Sequence, residues 1–269
     1  MKKTIITIFL ILILFFLYGK YINTTGLKIN NYQLNKTNLP NNYTKLKIIQ
    51  FSDLLIDKNN IQNLENLVKK INKEKPDIII FTGDLIKKDY KITEKEKKYL
   101  IKNLNNIKCN LYKYSILGDN DKKNIDTYEK IMNKSNFQIL NNEYTYLFYK
   151  EKQPIKIIGL TDKKKYTKVL NNEPNINPVY TILLTHKPDI IDNLDTKNID
   201  LILAGHSLNG QIRLPFIGGL IKKDGAKKYI DSHYKINKTE MYISNGIGTE
   251  NFNFRTFNKP SINEFIFSN

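Results

Sequence analysis

Cysteine is almost absent from this chain. The one thiol, Cys109, leaves no partner for an internal disulfide and no cysteine cluster for a metal. Its place at the entrance of an apolar run predicts a buried, inert side chain. Arginine is nearly as scarce, because all of the 43 basic residues except Arg213 and Arg255 are lysine. Proteins that read nucleic acid lean on arginine for bidentate contacts. The lysines are also scattered in pairs rather than gathered into one stripe interleaved with aromatics. The net charge of +17 therefore argues for no nucleic-acid partner. It fits solubility, or contact with an anionic membrane surface or wall polymer. No stretch rich in proline, serine and glycine follows residue 45, and no repeat is evident. Residues 46–269 thus read as one domain.

The longest apolar run stands at the start. After Lys2 and Lys3, Ile5–Tyr18 is apolar except for Thr7, and Lys20 closes it. A membrane span needs about 17–25 residues, so the run is near the lower limit. No small-residue cleavage site follows it. Residues 1–21 are therefore expected to form a signal-anchor or transmembrane helix. Lys2 and Lys3 would stay in the cytoplasm and the domain would be extracytoplasmic. A cleaved signal peptide with an atypical site is the alternative. Residues 22–45, polar and rich in Asn and Thr, read as a tether and an edge strand.

Beyond that, apolar runs of strand length alternate with helical periodicity. Strands are expected at Leu46–Phe51, Asp77–Phe81, Leu111–Leu117, Ile155–Leu160, Thr181–Thr185 and Leu201–Ala204. Further strands are expected near residues 137–140, 144–149, 241–244 and 265–267. Helices are expected over Asn60–Ile71, Thr93–Ile107 and Asp121–Ser135. The runs end on chemistry-bearing residues: Asp53, Asp84, Asp119 with Asn120 and Asp121, His186 and His206. Any one of these could be a turn-former. Carboxylates and imidazoles at so many strand ends read together as a site for a divalent metal, with Mn, Fe and Zn suited to the mixed ligands. His233 lies away from these ends and reads as a loop residue without a role.

The blocks SDLLID, FTGDLI, LGDND, LLTHKPD and AGHSLNGQIRLPFIGG resemble the signature blocks of the calcineurin-like metallophosphoesterases, in order and spacing. The tail SNGIGTENFNFRTFNKPSINEF resembles the membrane-associated bacterial subgroup similar to UDP-2,3-diacylglucosamine hydrolases. The resemblance implies an α/β (α+β four-layer) fold, two mixed β-sheets sandwiched between helices. It also implies a two-metal site that activates hydroxide toward phosphorus, and a phosphate-ester substrate, lipid-linked in the subgroup.

Carried over residue by residue, the blocks depart from the family pattern. Leu55 and Leu208 stand where the family has histidines of one metal, and that site keeps only Asp53 and Asp84. The ligands of the other metal correspond to Asp84, Asp119, His186 and His206. Asn120 takes the place of the family's catalytic histidine. One divalent metal per chain is therefore expected, with Arg213 as a candidate for holding an anionic substrate or, equally, for a salt bridge within its loop. Two functional readings follow. One is a phosphoesterase of reduced activity at the membrane surface. The other is a membrane-tethered pseudoenzyme or binding module. A surface adhesin acting through lysine rests on charge alone.

Overall fold

Two six-stranded sheets are built from the alternating runs. The computed structural model describes residues 1–35, 39–150, 152–165, 169 and 176–268, so part of the expected tether, residues 36–38, lies outside them. In chain order the strands are β1 Lys28–Asn35, β2 Lys47–Phe51, β3 Ile78–Phe81, β4 Tyr112–Ser115, β5 Gln138–Ile139, β6 Glu143–Leu147 and β7 Ile155–Leu160. They continue as β8 Tyr180–Thr185, β9 Leu201–Ala204, β10 Arg213–Leu214, β11 Gly218–Gly219, β12 His233–Ile236, β13 Thr239–Ile243 and β14 Ser261–Ser268. The α-helices among the described residues include α1 Lys2–Leu17, α2 Leu64–Glu74, α3 Glu94–Asn105 and α4 Ile125–Lys134.

The first sheet runs β1-β14-β2-β3-β4-β5 and the second β12-β13-β9-β8-β7-β6, while β10 and β11 form a separate hairpin. Both sheets are mixed. In the first, β2 to β5 are parallel and β14 is antiparallel to β2. In the second, β7, β8, β9 and β13 are parallel, with β6 and β12 antiparallel at the edges. Strand β1 lies at the edge of the first sheet and pairs in parallel with β14. His233 is not in a loop but on edge strand β12, where it pairs with Glu240 at 2.7 Å and stacks on Tyr242. Its four residues alternate in exposure, with Tyr234 and Ile236 against the core, but the alternation is too short to mark a strand in sequence.

The central strands are buried on both faces, which is why they read as continuous apolar runs. Ile78 and Ile80 point between the sheets, with Ile157, Ile182, Leu184 and Leu203 opposite. Ile79 and Phe81 point to the helices. There α2 presents Leu64, Leu67, Val68 and Ile71, spaced at one helical face. Helix α3 starts on a reciprocal cap between Thr93 and Glu96. The outer face of the second sheet packs Leu183, Ile202 and Met241 against Ile191, Ile199 and Tyr229.

One polar clamp ties the sheets together under the strand ends. Gln50 is buried; its Nε2 donates to the Ala204 carbonyl at 2.8 Å and to Thr82 Oγ1 at 3.2 Å. Its Oε1 accepts from Asn263 Nδ2 at 3.0 Å. Gln50→Leu would strand these buried partners, at a cost of roughly 1–3 kcal/mol. A urea unfolding midpoint lowered to match, with unchanged slope, is the expected result.

Candidate metal centre

The carboxyl ends of β2, β3, β4, β8 and β9 converge, and each delivers a polar side chain into one buried space. Several loop residues there hold left-handed backbone: Asp53 (φ 51), Leu55 (φ 44), Asp84 (φ 60), His206 (φ 67) and Leu208 (φ 50). Such conformations cost of order 1–3 kcal/mol each outside glycine and persist only where surrounding contacts fix them. Here the loops fix one another. Asp53 N–H donates to the Gly83 carbonyl at 2.9 Å and Leu55 N–H to that of Asp84 at 3.1 Å. His206 N–H donates to Asp53 Oδ2 at 3.0 Å. A side chain at Gly118 would collide with the Asp84 carboxylate and backbone, so only glycine permits this approach.

Asp84, His186 and His206 form the heart of the cluster. Each is buried, and each offers one ligand atom, with all three atoms within 4.8 Å of one another. His186 Nδ1 lies 2.7 Å from the Thr82 carbonyl, and His206 Nε2 lies 2.8 Å from that of Asp224. A carbonyl only accepts, so those two nitrogens carry the protons. The other two, His186 Nε2 and His206 Nδ1, face each other at 3.2 Å. Two lone pairs at that distance need a cation between or beside them. Asp84 Oδ2 lies 3.3 Å from His186 Nε2. Asp53 Oδ1 lies 4.0 Å from the same nitrogen, and it is buried without a hydrogen-bond partner among the described residues.

Electrostatics follow from this packing. Burial opposes the charge on Asp84, but the His186 cation and the Asn120 amide outweigh it and hold the carboxyl at about 2. Burial likewise opposes charge on His186, yet Asp84 and Asp53 raise it to about 9. Burial, with the charges of His186 and Lys223, pushes His206 down to about 3. Burial raises Asp53 above the ordinary carboxylate range. Without a metal, one proton thus sits on His186 Nε2 and His206 stays neutral.

The other expected residues lie around this heart. Asn120 braces Asp84, with its N–H donating to Oδ1 at 2.8 Å and its Nδ2 to Oδ2 at 3.0 Å. Asp119 faces outward to Lys187 at 2.6 Å and Lys122 at 3.5 Å, and is not among the converging atoms. The Arg213 guanidinium is engaged by Asp231 at 2.8 Å and by Asn209. Leu55 and Leu208 are both 1% exposed. Gly246 packs between Leu208 and Asp53, and Gly248 against Leu55.

Three further residues shape the site: Asp121, one of the strand-end residues read from the sequence, and Lys223 and Arg255, to which sequence reasoning gave no role. Asp121, buried, accepts N–H bonds from Asp84 (2.7 Å), Leu85 (2.9 Å) and Gly118 (2.8 Å), and so pins two loops together. Lys223 donates to the His206 carbonyl and pairs with Glu250 at 2.6 Å, close above the cluster. Arg255, 0% exposed, donates to the carbonyls of Asn245, Gly246 and Gly248. That loop in turn bonds the Asp53 backbone, with Gly248 N–H on the Asp53 carbonyl at 2.8 Å. The signal for Arg255 was its rarity in a lysine-rich chain.

Comparison with known proteins bears on this site. The family model described as calcineurin-like phosphoesterase matches residues 46–210, more than half of the chain. The chain is 29% identical over 255 residues to the uncharacterized metallophosphoesterase YkuE of Bacillus subtilis (strain 168), covering 92% of this chain and 88% of that protein. It is 28% identical over 260 residues to YkoQ of the same organism, also named an uncharacterized metallophosphoesterase, covering 92% and 93%. A solved dimetal phosphatase from Danio rerio aligns at TM-score 0.40 and 8% identity, over 76% of this chain and 88% of that one.

The protonated His186 has a measurable consequence. Its folded pKa of about 9 lies above the unfolded value of 6.5, so the folded state holds the proton longer as pH rises. The stability that this proton gives is complete below 6.5 and lost as pH climbs through about 9. Metal-stripped protein is expected to melt progressively lower from pH 7 to pH 9, and His186→Asn to flatten that decline.

Proposed function

The chain belongs to the calcineurin-like phosphoesterase family, and from that premise we propose that it is a phosphoester hydrolase with one metal centre, at Asp84, His186 and His206. The observation that carries this reading is the pair of imidazole nitrogens facing each other at 3.2 Å beside a carboxylate. Two imidazoles with carboxylates suit Mn, Fe or Zn, and the unpartnered Asp53 Oδ1 fits a further bond to a cation. Asp119 would complete the set by giving up Lys187. A divalent ion held there supplies Lewis acidity toward a phosphoryl oxygen.

The chain's own residues do the rest. Thr82 and Asp224 fix the imidazole tautomers, so each ring presents its unprotonated nitrogen inward. Lys187 and Lys223 stand at the mouth, and each reaches a phosphate only by releasing its carboxylate, Asp119 or Glu250. Arg213 reaches an anionic substrate only by releasing Asp231. Leu55 and Leu208 deny imidazole ligands to a second ion and keep its neighbourhood apolar. Asn120 positions Asp84, but an amide cannot protonate a leaving group. General acid catalysis contributes roughly 10²–10⁴-fold, so turnover is reduced and favours good leaving groups. Helix α1 with the turn after it, Lys2–Ile22, is long and apolar enough to cross a membrane. On this reading it anchors the domain at the outer membrane surface, within reach of lipid-linked phosphoesters.

The second reading, a tethered pseudoenzyme, is favoured by one observation: Asn120 turns both its backbone N–H and its side-chain amide on Asp84. Metal analysis and an aryl phosphodiester assay with added manganese separate the two. The expected outcome is one metal per chain, with turnover abolished by His206→Ala. Two metals per chain would overturn the one-metal assignment, and metal without turnover would favour the pseudoenzyme. Asn120→His is expected to raise turnover, by up to about 10²-fold on esters with poor leaving groups.

A further inference from the structure

The hairpin that follows the His206 loop ends in an apolar tip. Leu214-Pro215-Phe216-Ile217 turns on an Ile217 N–H to Leu214 carbonyl bond of 3.3 Å. Phe216 has φ 66. Proline followed by a left-handed residue is the pattern of a type II turn, whose third position is served best by glycine. Here it carries phenylalanine, 109% exposed, followed by Ile217 at 70%. A strained backbone that projects a bare aromatic ring into solvent has no explanation within the fold.

The tip is not isolated. Leu214, Pro215, Phe216, Ile217 and Phe257 line one open groove with Arg213. Phe257, itself half-exposed with φ 48, lies 6.4 Å from the Phe15 ring and 5.8 Å from that of Tyr18. Phe254 stacks on Phe16 at 5.7 Å. The base of α1 is seated on this same segment. A side chain at Gly19 would collide with Phe254, and the Gly19 carbonyl accepts the Arg255 N–H at 3.0 Å. The hairpin is bound to the segment as well, through Arg213 N–H to the Thr256 carbonyl at 3.1 Å and Thr256 Oγ1 to that of Arg213 at 2.7 Å. One continuous apolar surface therefore runs from the end of α1 through Phe254 and Phe257 to the hairpin tip. Exposed lysines adjoin it in sequence: Lys20, Lys222 and Lys259. Exposed aromatics with flanking lysines match the apolar interior and anionic headgroups of a bilayer interface.

We propose that the Arg213–Gly219 hairpin is a second membrane contact, which dips Phe216 and Ile217 into the bilayer whose span is α1 and so holds the metal centre's mouth toward the lipid surface. This rests on the reading of α1 as a membrane anchor. The hairpin leaves the His206 loop directly, and Gly210 of that loop packs on Gly219. Fixing the tip in the interface would thus fix the orientation of the site.

The chain has no tryptophan, which gives a clean probe. Full-length Phe216→Trp is reconstituted into phosphatidylcholine vesicles containing an anionic lipid, with bromine on the acyl chains near the glycerol end. Interfacial segments sit about 5–10 Å into the headgroup boundary, so the emission should shift to the blue and fall to less than about half. Tyr112→Trp, at the far end of β4 and half-exposed, should stay unquenched. Vesicle flotation reports the anchor separately. Flotation without quenching of Phe216→Trp overturns the hairpin contact and leaves the anchor standing. A blue-shifted but unquenched tryptophan means that a second copy of the chain covers the tip, and overturns it too. Equal quenching of both probes removes the orientation. Failure to float removes the anchor and the proposal together, while the metal and phosphodiester measurements still judge the hydrolase reading.

Discussion

Two imidazole nitrogens held 3.2 Å apart inside the protein impose the condition on which the site depends. Their lone pairs repel unless a cation is shared, and burial removes the water that would screen them. Asp84 supplies the compensating negative charge, and a proton on His186 meets the condition in the metal-free protein. A divalent ion would meet it better, because both nitrogens could bind at once. The strain in the surrounding loops fits that purpose. Left-handed aspartate, histidine and leucine residues are unfavourable singly, and hydrogen bonds that run from loop to loop help to hold them.

Holding these groups together takes buried polar residues that touch no ligand. Gln50 joins the sheets below the cluster. Asp121 ties the loop after β3 to the loop after β4. Arg255 gathers the carbonyls of the 245–248 loop, which leans on Asp53. The two terminal nitrogens of this buried guanidinium are met by carbonyls, so it contributes positive charge without competing for Asp53 as a salt-bridge partner. The apolar Leu55 and Leu208 are buried against the same loop, at Gly248 and Gly246.

The C-terminal segment from Phe252 to Asn258 connects the site to the chain's start. Its aromatic side chains meet α1 on one side, and its backbone holds the hairpin on the other. Arg255 lies in the middle and faces inward. Helix α1, hairpin and loops therefore share one strip of chain, and the position of the apolar helix is coupled to the position of the site by short contacts.

Much of this was legible in the sequence. Central strands buried on both faces must be apolar throughout, so β3, β7, β8 and β9 announced themselves, and the residues past the ends of β3, β8 and β9 include Asp84, His186 and His206, which converge. Helix α2 was readable from Leu64, Leu67, Val68 and Ile71. Edge strand β12 was not, because a strand with solvent on one side and polar neighbours carries no such pattern. Only tertiary structure decided which strand-end residues meet. Asp119 and Arg213 look equivalent to His206 in sequence, yet lysine and aspartate neighbours distant in the chain claim them. Asp121 and Arg255 gain their roles from carbonyls and amides that no side-chain pattern encodes. The sequence by itself determined the apolar runs and the chemistry at their ends. The packing of one sheet on the other decided which of those groups share a single buried space, since that depends on distances between residues more than a hundred positions apart.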